Sequence, residues 1–155
     1  MTTYEQHKEN SYRVDLGGKN LLGTPMSMTG RSVTVVYNSG SLSLDGTGGS
    51  SGNINNTSQT QKLSAGTYTM SIRYKSGTLT TNGTSYIRLR NSSGDGAITN
   101  AEIKIKADNY NASLNSATFT LSEDTTIYLS IYVVSGSVYD ILSYDMQIEK
   151  RKCSN

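Results

Sequence analysis

The Asp and Glu residues of this chain are the ones that could catalyse hydrolysis. In a pair of carboxyl groups, one can act as general acid and the other as general base or nucleophile. The candidates are Asp95, Glu102, Asp108, Glu123, Asp124, Asp140, Asp145 and Glu149. Asp95 lies between two glycines and Glu123-Asp124 separates two alternating segments, where short acids are typical of turns. His7 is the only histidine, which excludes a His-dependent triad and a multi-His metal site. The sequence therefore predicts that this chain is not an enzyme.

Tyrosine and arginine side chains offer a different chemistry, the binding of a sugar. Tyr86, Arg88 and Arg90 occupy alternate positions of one segment, and Tyr128 and Tyr132 belong to another. If the aliphatic residues between them face the core, all five point to solvent and are the predicted ligand-binding residues. An exposed Tyr ring beside an Arg can contact a sugar ring and hydrogen-bond its hydroxyls or phosphates. Such cross-strand pairs also stabilise a sheet by a few tenths to about 1 kcal/mol each, so both interpretations stay open.

Alternation of apolar and polar residues dominates the chain from residue 64 to residue 150, most regularly at 67–74, 86–90 and 127–133. A period of two is typical of a β-strand with one buried and one solvated face. Short strands separated by Gly, Ser and Asn, without a helical stretch, predict an all-β fold. About nine or ten strands favour an antiparallel β-sandwich with jelly-roll topology.

The individual strands follow from the same alternation and from the turn residues between them. The predicted strands are 12–16, 32–37, 41–44, 59–63, 67–75, 84–91, 101–106, 116–122, 125–134 and 137–149. A hairpin is expected about Asn38-Ser39-Gly40. The Gly/Ser/Asn-rich segment 45–56 predicts an exposed loop, and 76–83 a loop or small hairpin. Leu21-Leu22 is expected to anchor under the sandwich.

Length and cysteine content fit one domain without disulfides. The chain has 155 residues and a single cysteine, Cys153; a domain of this length buries roughly 70% of its unfolded surface without a cross-link. We expect a polar linker or docking arm at 1–11, the β-sandwich domain at 12–150 and a basic tail at 151–155.

Charge and hydropathy limit the partners. The net charge is +2 with Lys and Arg scattered along the chain, so no nucleic-acid partner is expected. No segment approaches the length of a membrane span, and residues 1–10 lack the apolar core of a signal peptide. We therefore expect no membrane partner, and a protein that is made in the cytoplasm and either stays there or leaves by a route that needs no signal peptide, such as the release of a virion by lysis.

Two ends of the chain carry a resemblance to a known family. Residues 4–17, YEQHKENSYRVDLG, resemble the segment that leads into C-terminal modules of minor structural and tail proteins of phages infecting Gram-positive bacteria. Residues 19–22 (KNLL), 63–69 (LSAGTYT) and 144–150 (YDMQIEK) resemble the opening, middle and closing strands of the jelly-roll carbohydrate-binding-like modules in those tails. The opening motif is usually followed by a Trp-bearing strand. This chain has no Trp and 11 Tyr, so any sugar platform is expected to consist of Tyr.

The resemblance implies a non-catalytic module of a virion tail or fibre that binds a host-surface glycan or cell-wall polymer. Its other implied partners are further tail subunits, and a homotrimer is left open as the assembly. Two alternatives stay open: a purely structural or assembly module of a fibre, and an accessory domain of a carbohydrate-active enzyme.

The resemblance also implies a site for a structural calcium, between a carboxylate of the last strand and carbonyls near the first. Asp145 occupies the matching place and Asp140 is near it in sequence. Calcium takes six or more oxygen ligands, whereas these acids are isolated along the strand. A solvated strand acid is therefore favoured for Asp145, and no other cofactor is expected.

Overall fold

The computed structural model describes residue 22 and residues 25–80, 83–93 and 96–151. Within these ranges the chain forms strands and no helix. The described residues therefore contain no helix that could cross a membrane. The strands are β1 (Met26–Gly30), β2 (Val33–Asn38), β3 (Ser41–Thr47), β4 (Gly52–Asn55), β5 (Gln61–Leu63), β6 (Gly66–Thr80), β7 (Ser85–Asn91), β8 (Glu102–Ile105), β9 (Asn115–Leu121), β10 (Thr125–Val133) and β11 (Val138–Lys150).

The strands form two antiparallel sheets. The six-stranded sheet has the order β1-β2-β3-β11-β6-β9, and the five-stranded sheet has the order β4-β10-β7-β8, with β5 also pairing with β10. Strands that follow one another along the chain, such as β6 and β7 or β9 and β10, lie in opposite sheets. This passage of the chain between two facing sheets is that of a jelly roll. The predicted all-β antiparallel sandwich is confirmed.

The core lies between the sheets and is built from the apolar positions of the alternating segments. The central strand of the five-stranded sheet, β10, buries Ile127, Leu129, Ile131 and Val133 completely. The inward residues of β6 and β11 include Met70, Ile72, Met146 and Ile148, which are equally buried. Burial of one such aliphatic side chain contributes about 1.5–3 kcal/mol, so these alternating segments supply much of the driving force for folding.

Tyrosine supplies much of the aromatic packing, as the absence of Trp requires. The fully buried tyrosines are Tyr37, Tyr68, Tyr139 and Tyr144. Their hydroxyls make hydrogen bonds inside the fold, because a buried hydroxyl without a partner is costly. For example, the Tyr37 hydroxyl donates to the carbonyl of Leu22 over 2.6 Å, and the Tyr144 hydroxyl donates to the carbonyl of Tyr110 over 2.8 Å. Leu22 is itself buried, in agreement with the prediction that it anchors under the sandwich.

The segment predicted as an exposed loop, 45–56, contains strand structure, and that prediction is wrong. Strand β3 continues to Thr47, and β4 pairs with β10. Two interactions order this Gly/Ser-rich stretch. Ile54 is buried, and the Arg31 guanidinium donates to the Ser51 and Asn53 carbonyls, each over 3.1 Å. Gly52 has φ 150° and its Cβ position is occupied by the Arg31 side chain, so the close approach of Arg31 requires glycine here.

The second predicted loop, 76–83, is also partly strand. Strand β6 has 15 residues and runs to Thr80 because it pairs along β11, which has 13 residues. The pairing contains an irregularity where Gly77 (φ 90°) packs against the backbone of Ile141 (φ 44°). A bulge of this kind bends a strand without ending it. Leu79, beyond the irregularity, is buried.

The remaining strand predictions agree with the structure to within a few residues. The hairpin about residues 38–40 is present between β2 and β3. Strand β1 was not among the predicted strands, since only two of its side chains, Met26 and Met28, contact the core. The predicted strand at 12–16, the arm at 1–11, Leu21, Asp95, Cys153 and most of the basic tail lie outside the described residues. The proposed domain boundaries therefore stay predictions.

Tyr144 makes the stability of the fold sensitive to high pH. Burial raises the pKa of its hydroxyl well above the usual value, and the nearby Tyr74 and Tyr110 raise the pKa further. In the unfolded chain the group ionises near pH 10. The folded protein therefore keeps a proton that the unfolded chain loses, and this contribution to stability is complete below pH 10 and falls above it by at most about 1.4 kcal/mol per pH unit.

We expect urea-unfolding measurements between about pH 9 and pH 12 to show this loss. The Tyr144→Phe variant cannot ionise at this position, so its free energy of unfolding should fall less steeply with pH than that of the parent. Parallel pH profiles for the two proteins would contradict the assignment to Tyr144.

Candidate functional site

The five predicted ligand-binding residues lie together on the outer face of the five-stranded sheet. Tyr86, Arg88 and Arg90 project from β7, and Tyr128 and Tyr132 project from the neighbouring strand β10. The antiparallel register pairs Tyr86 with Tyr132 and Arg90 with Tyr128. The alternation that buries Ile87 and Leu89 forces these side chains outward. We call this surface the Tyr–Arg face.

Arg88 occupies the centre of the Tyr–Arg face. Its Cζ lies 4.1 Å from the ring centroid of Tyr86 and 5.4 Å from that of Tyr132. The two rings meet edge to face, with centroids 5.7 Å apart. Arg88 Nε donates to Glu102 Oε1 over 3.0 Å, and Nη1 donates to Asn53 Oδ1 over 3.3 Å. The guanidinium is therefore held by two rings, a carboxylate and an amide.

Glu102 and Asn53 are members of this site that sequence reasoning did not select. Glu102 belongs to β8, where the register places it directly beside Arg88. Asn53 belongs to β4, in the segment predicted as a loop, and pairs with Tyr132. The alternation in residues 101–106 was the available signal for Glu102. Nothing local in the sequence indicates Asn53, since its position depends on the pairing of β4 with β10.

Tyr128 points outward as predicted, but only 7% of its surface is exposed. Arg90 Nε lies 3.4 Å from the Tyr128 hydroxyl, and the neighbouring outward residue Ser130 is fully buried, with a 2.6 Å hydrogen bond to Asn55 Oδ1. The alternation of apolar and polar residues predicts the face of the sheet to which a side chain points. It does not predict whether neighbouring side chains bury that side chain. The Tyr128 ring therefore has little surface left for a ligand, while Tyr86, Arg88 and Tyr132 stay half-buried.

A small pocket opens beside the two arginines. It has a volume of about 220 Å³ and is lined by Arg88, Arg90, Glu102 and the loop residues Ala97, Ile98 and Ala101. The loop is fixed by backbone hydrogen bonds, from Leu89 N to Ala101 O and from Asn91 N to Gly96 O. A Cβ on Gly96 (φ 84°) would lie 2.6 Å from Arg90 Nη2, so glycine allows the loop to approach this side chain.

Asp145, the residue at the implied calcium site, lies beside a lysine. Its side chain is 59% exposed, and its Oδ1 lies 3.5 Å from Lys75 Nζ. The residue paired with it on β6 is Arg73. In the part of the chain that the structure describes, no three His, Cys, Asp or Glu residues come together as metal ligands. This exposure and the pairing with Lys75 are those of a solvated strand acid. The first predicted strand, whose carbonyls would complete the implied calcium site, lies outside the described residues.

Glu123 and Asp124, which the sequence places in a turn, lie in the turn between β9 and β10. Asp124 Oδ1 accepts a hydrogen bond from the backbone N–H of Ala65 over 3.0 Å, and the Thr125 hydroxyl donates to the Glu123 carbonyl over 2.9 Å. Glu123 and Asp124 thereby connect β9 with β10 and tie that turn to the start of β6. The turn prediction for these two residues is confirmed.

Comparisons with known proteins give one weak structural similarity. No protein-family model matches the chain, and no curated protein matches it. The chain is similar to a solved structure described as "CBM4 structure and function", with 13% sequence identity, coverage of 90% of this chain and 84% of that chain, and a TM-score of 0.40. Similarity at this level does not establish a shared function, so the functional argument has to come from the residues of this chain.

Proposed function

We propose that this chain is a non-catalytic carbohydrate-binding module whose ligand lies on the Tyr–Arg face. The observation that supports this is the arrangement of Arg88 between Tyr86 and Tyr132 with Glu102 and Asn53 beside it. A sugar presents apolar C–H faces and hydroxyls that both donate and accept hydrogen bonds. The Tyr rings can pack against the C–H faces. The guanidinium, carboxylate and amide can hydrogen-bond the hydroxyls.

The site is preorganised for binding. Fixing a long flexible side chain on binding costs about 0.5–1.5 kcal/mol. Arg88 is already held in the free protein, and only 22% of its side chain is exposed. The ligand therefore does not have to immobilise the arginine, and more of the contact energy appears as affinity.

The size of the site also suits a carbohydrate. Enclosed small-molecule pockets measure about 300–1,000 Å³, whereas the pocket beside Arg88 measures about 220 Å³ and shares its two arginines with the Tyr–Arg face. A shallow polar and aromatic surface of this kind suits a ligand that keeps much of its own surface in water.

The biological setting is a finer part of the proposal, and it is supported only by the sequence resemblance. We propose that the module belongs to a phage tail or fibre and binds a host-surface glycan or cell-wall polymer, next to other tail subunits and in a homotrimer. A fluorescent fusion should bind intact Gram-positive cells, and binding should be lost after the wall polymer is removed. Light scattering should give the mass of a trimer. A monomer, or no difference between intact and stripped cells, would contradict this setting.

An array of soluble glycans tests the carbohydrate proposal directly, with neutral β-linked glucans, chito-oligosaccharides and glycerol-phosphate polymers as probes. For a glycan that binds, Tyr86→Ala and Tyr132→Ala should each weaken binding by on the order of 1 kcal/mol, roughly fivefold, because each removes a ring from the contact. Val36→Ala serves as a control, because Val36 is an exposed apolar side chain on the other sheet.

The Tyr variants should stay folded, since these rings lie outside the core. Unchanged binding in both variants would place the site elsewhere, and the absence of any bound glycan would contradict the function itself.

A further inference from the structure

We propose that the ligand is an extended oligosaccharide chain that leaves the Tyr–Arg face, crosses β8 and continues in a groove between β8 and β9. We call this the edge groove. It extends the function proposed above and rests on it. The groove has a volume of about 520 Å³. Its lining includes Glu102, Ile103, Lys104, Ser116, Ala117 and Thr118.

The edge groove exists because two strands end their sheets next to each other. β8 is the last strand of the five-stranded sheet, and β9 is the last strand of the six-stranded sheet. Alternation turns Ile103 and Ala117 toward the core, where they form an apolar floor. The walls are then formed by Glu102 and Lys104 on one side and by two exposed hydroxyl residues of β9 on the other.

The edge groove and the Tyr–Arg face meet at one side chain. Glu102 lines both the groove and the pocket beside Arg88. Its Oε1 lies 3.0 Å from Arg88 Nε, and its side chain is still 36% exposed. A ligand bound to Arg88 is therefore one residue away from the groove.

The dimensions favour a chain over a single sugar. The pocket beside Arg88 is smaller than ordinary ligand sites of about 300–1,000 Å³, whereas the groove, at about 520 Å³, falls within that range. The two adjoin at Glu102. A linear oligosaccharide, with repeated apolar ring faces and hydroxyl edges, can use the groove's apolar floor and its hydroxyl and charged walls in turn.

A peptide that adds a strand is the other occupant that an exposed sheet edge admits. Such a peptide would be bound by the backbone of β8 or β9 and would not need the Tyr–Arg face. Because Glu102 lines both regions, a carbohydrate chain that uses both is favoured.

Chain-length dependence is the first test. The probes are the disaccharide and the hexasaccharide of the cello, laminari and chito series, measured by calorimetry. In a series that binds, we expect the hexasaccharide to bind at least about tenfold more tightly than the disaccharide, because only the longer chain reaches both regions. Equal affinities in every series that binds would overturn the edge groove and leave the carbohydrate function standing. No binding by any of these probes would overturn the edge groove, and it would overturn the carbohydrate function as well if no glycan of the array binds.

A matched pair of variants locates the second region. Thr118 and Thr120 are both exposed on β9, and each faces a β6 threonine hydroxyl, over 3.4 Å and 3.0 Å respectively. Thr118 lines the groove, and Thr120 does not. Thr118→Trp should therefore reduce hexasaccharide affinity to about that of the disaccharide, while Thr120→Trp should leave both unchanged.

Thr118→Ala, which adds no bulk, should stay folded and lower only the hexasaccharide affinity. The backbone amide signals of residues 115–118 should shift with the hexasaccharide and not with the disaccharide. Equal effects of Thr118→Trp and Thr120→Trp would overturn the groove, as would amide shifts at β9 caused by an extended Thr-Val peptide and not by the hexasaccharide.

Discussion

Ile131→Ala is expected to destabilise the protein by about 2–5 kcal/mol. Ile131 is fully buried at the middle of β10, where its partners in the register are Ile54 on one side and Ile87 on the other. Truncation removes apolar contacts from both neighbouring strands and leaves a cavity that the paired backbone cannot close. Equilibrium unfolding in urea measures the effect directly, and at about 2–4 °C per kcal/mol the melting temperature should also fall clearly.

The neighbouring residue provides the control for Ile131→Ala. Tyr132 follows it on the same strand and points to the opposite face. Tyr132→Ala should cost much less stability, because its ring contacts Tyr86 and Arg88 at the surface and not the core. A loss of stability in Tyr132→Ala as large as that in Ile131→Ala would show that the Tyr–Arg face is a structural element of the sandwich.

The fold could be predicted from the sequence because its main strands carry their own signal. In β7 and β10 every second residue is apolar, and the structure buries those residues. A period of two is a local property, so it can be recognised without knowing the partner strand. The tyrosines followed the same rule, with Tyr68 and Tyr144 inside and Tyr86 outside.

The missed elements depend on partners far away in sequence. Strand β4 is ordered by its pairing with β10 and by Arg31, which precedes it by about twenty residues. The extension of β6 past Gly77 depends on the bulge opposite Ile141. Neither partner can be identified from the segment itself, and a Gly/Ser-rich composition locally favours a loop.

The Tyr–Arg face also combines features that follow from the local sequence with features that depend on distant strands. The directions of Tyr86, Arg88 and Tyr132 follow from alternation. Their cross-strand neighbours follow from the sheet order, which no local pattern gives, and so Glu102 and Asn53 were not selected. The burial of Tyr128 likewise comes from tertiary packing. Sequence reasoning therefore located the face but not its full set of contacts.

Arg88→Ala is expected to weaken glycan binding by about 1.5–3 kcal/mol, roughly tenfold to a hundredfold, because it removes charge-assisted hydrogen bonds and the group that holds the site together. Without the guanidinium, Glu102 and the Asn53 amide lose their shared donor, and the Tyr86 ring loses the cation 4.1 Å from its centroid. Arg88→Lys should recover only part of the affinity, since an ammonium cannot present a planar fork to both partners.

Stability should change much less than affinity in these variants. The Arg88–Glu102 pair is partly exposed, and ion pairs of that kind contribute about 0–1 kcal/mol. Arg73→Ala is the matched control, because Arg73 is an exposed arginine on the outer face of the other sheet and its loss should leave glycan affinity unchanged. Calorimetry with the tightest-binding glycan of the array measures both effects. If Arg88→Ala binds that glycan as the parent does while Arg73→Ala weakens binding, the ligand lies on the six-stranded sheet. The cluster around Arg88 then serves only to join β4, β7, β8 and β10.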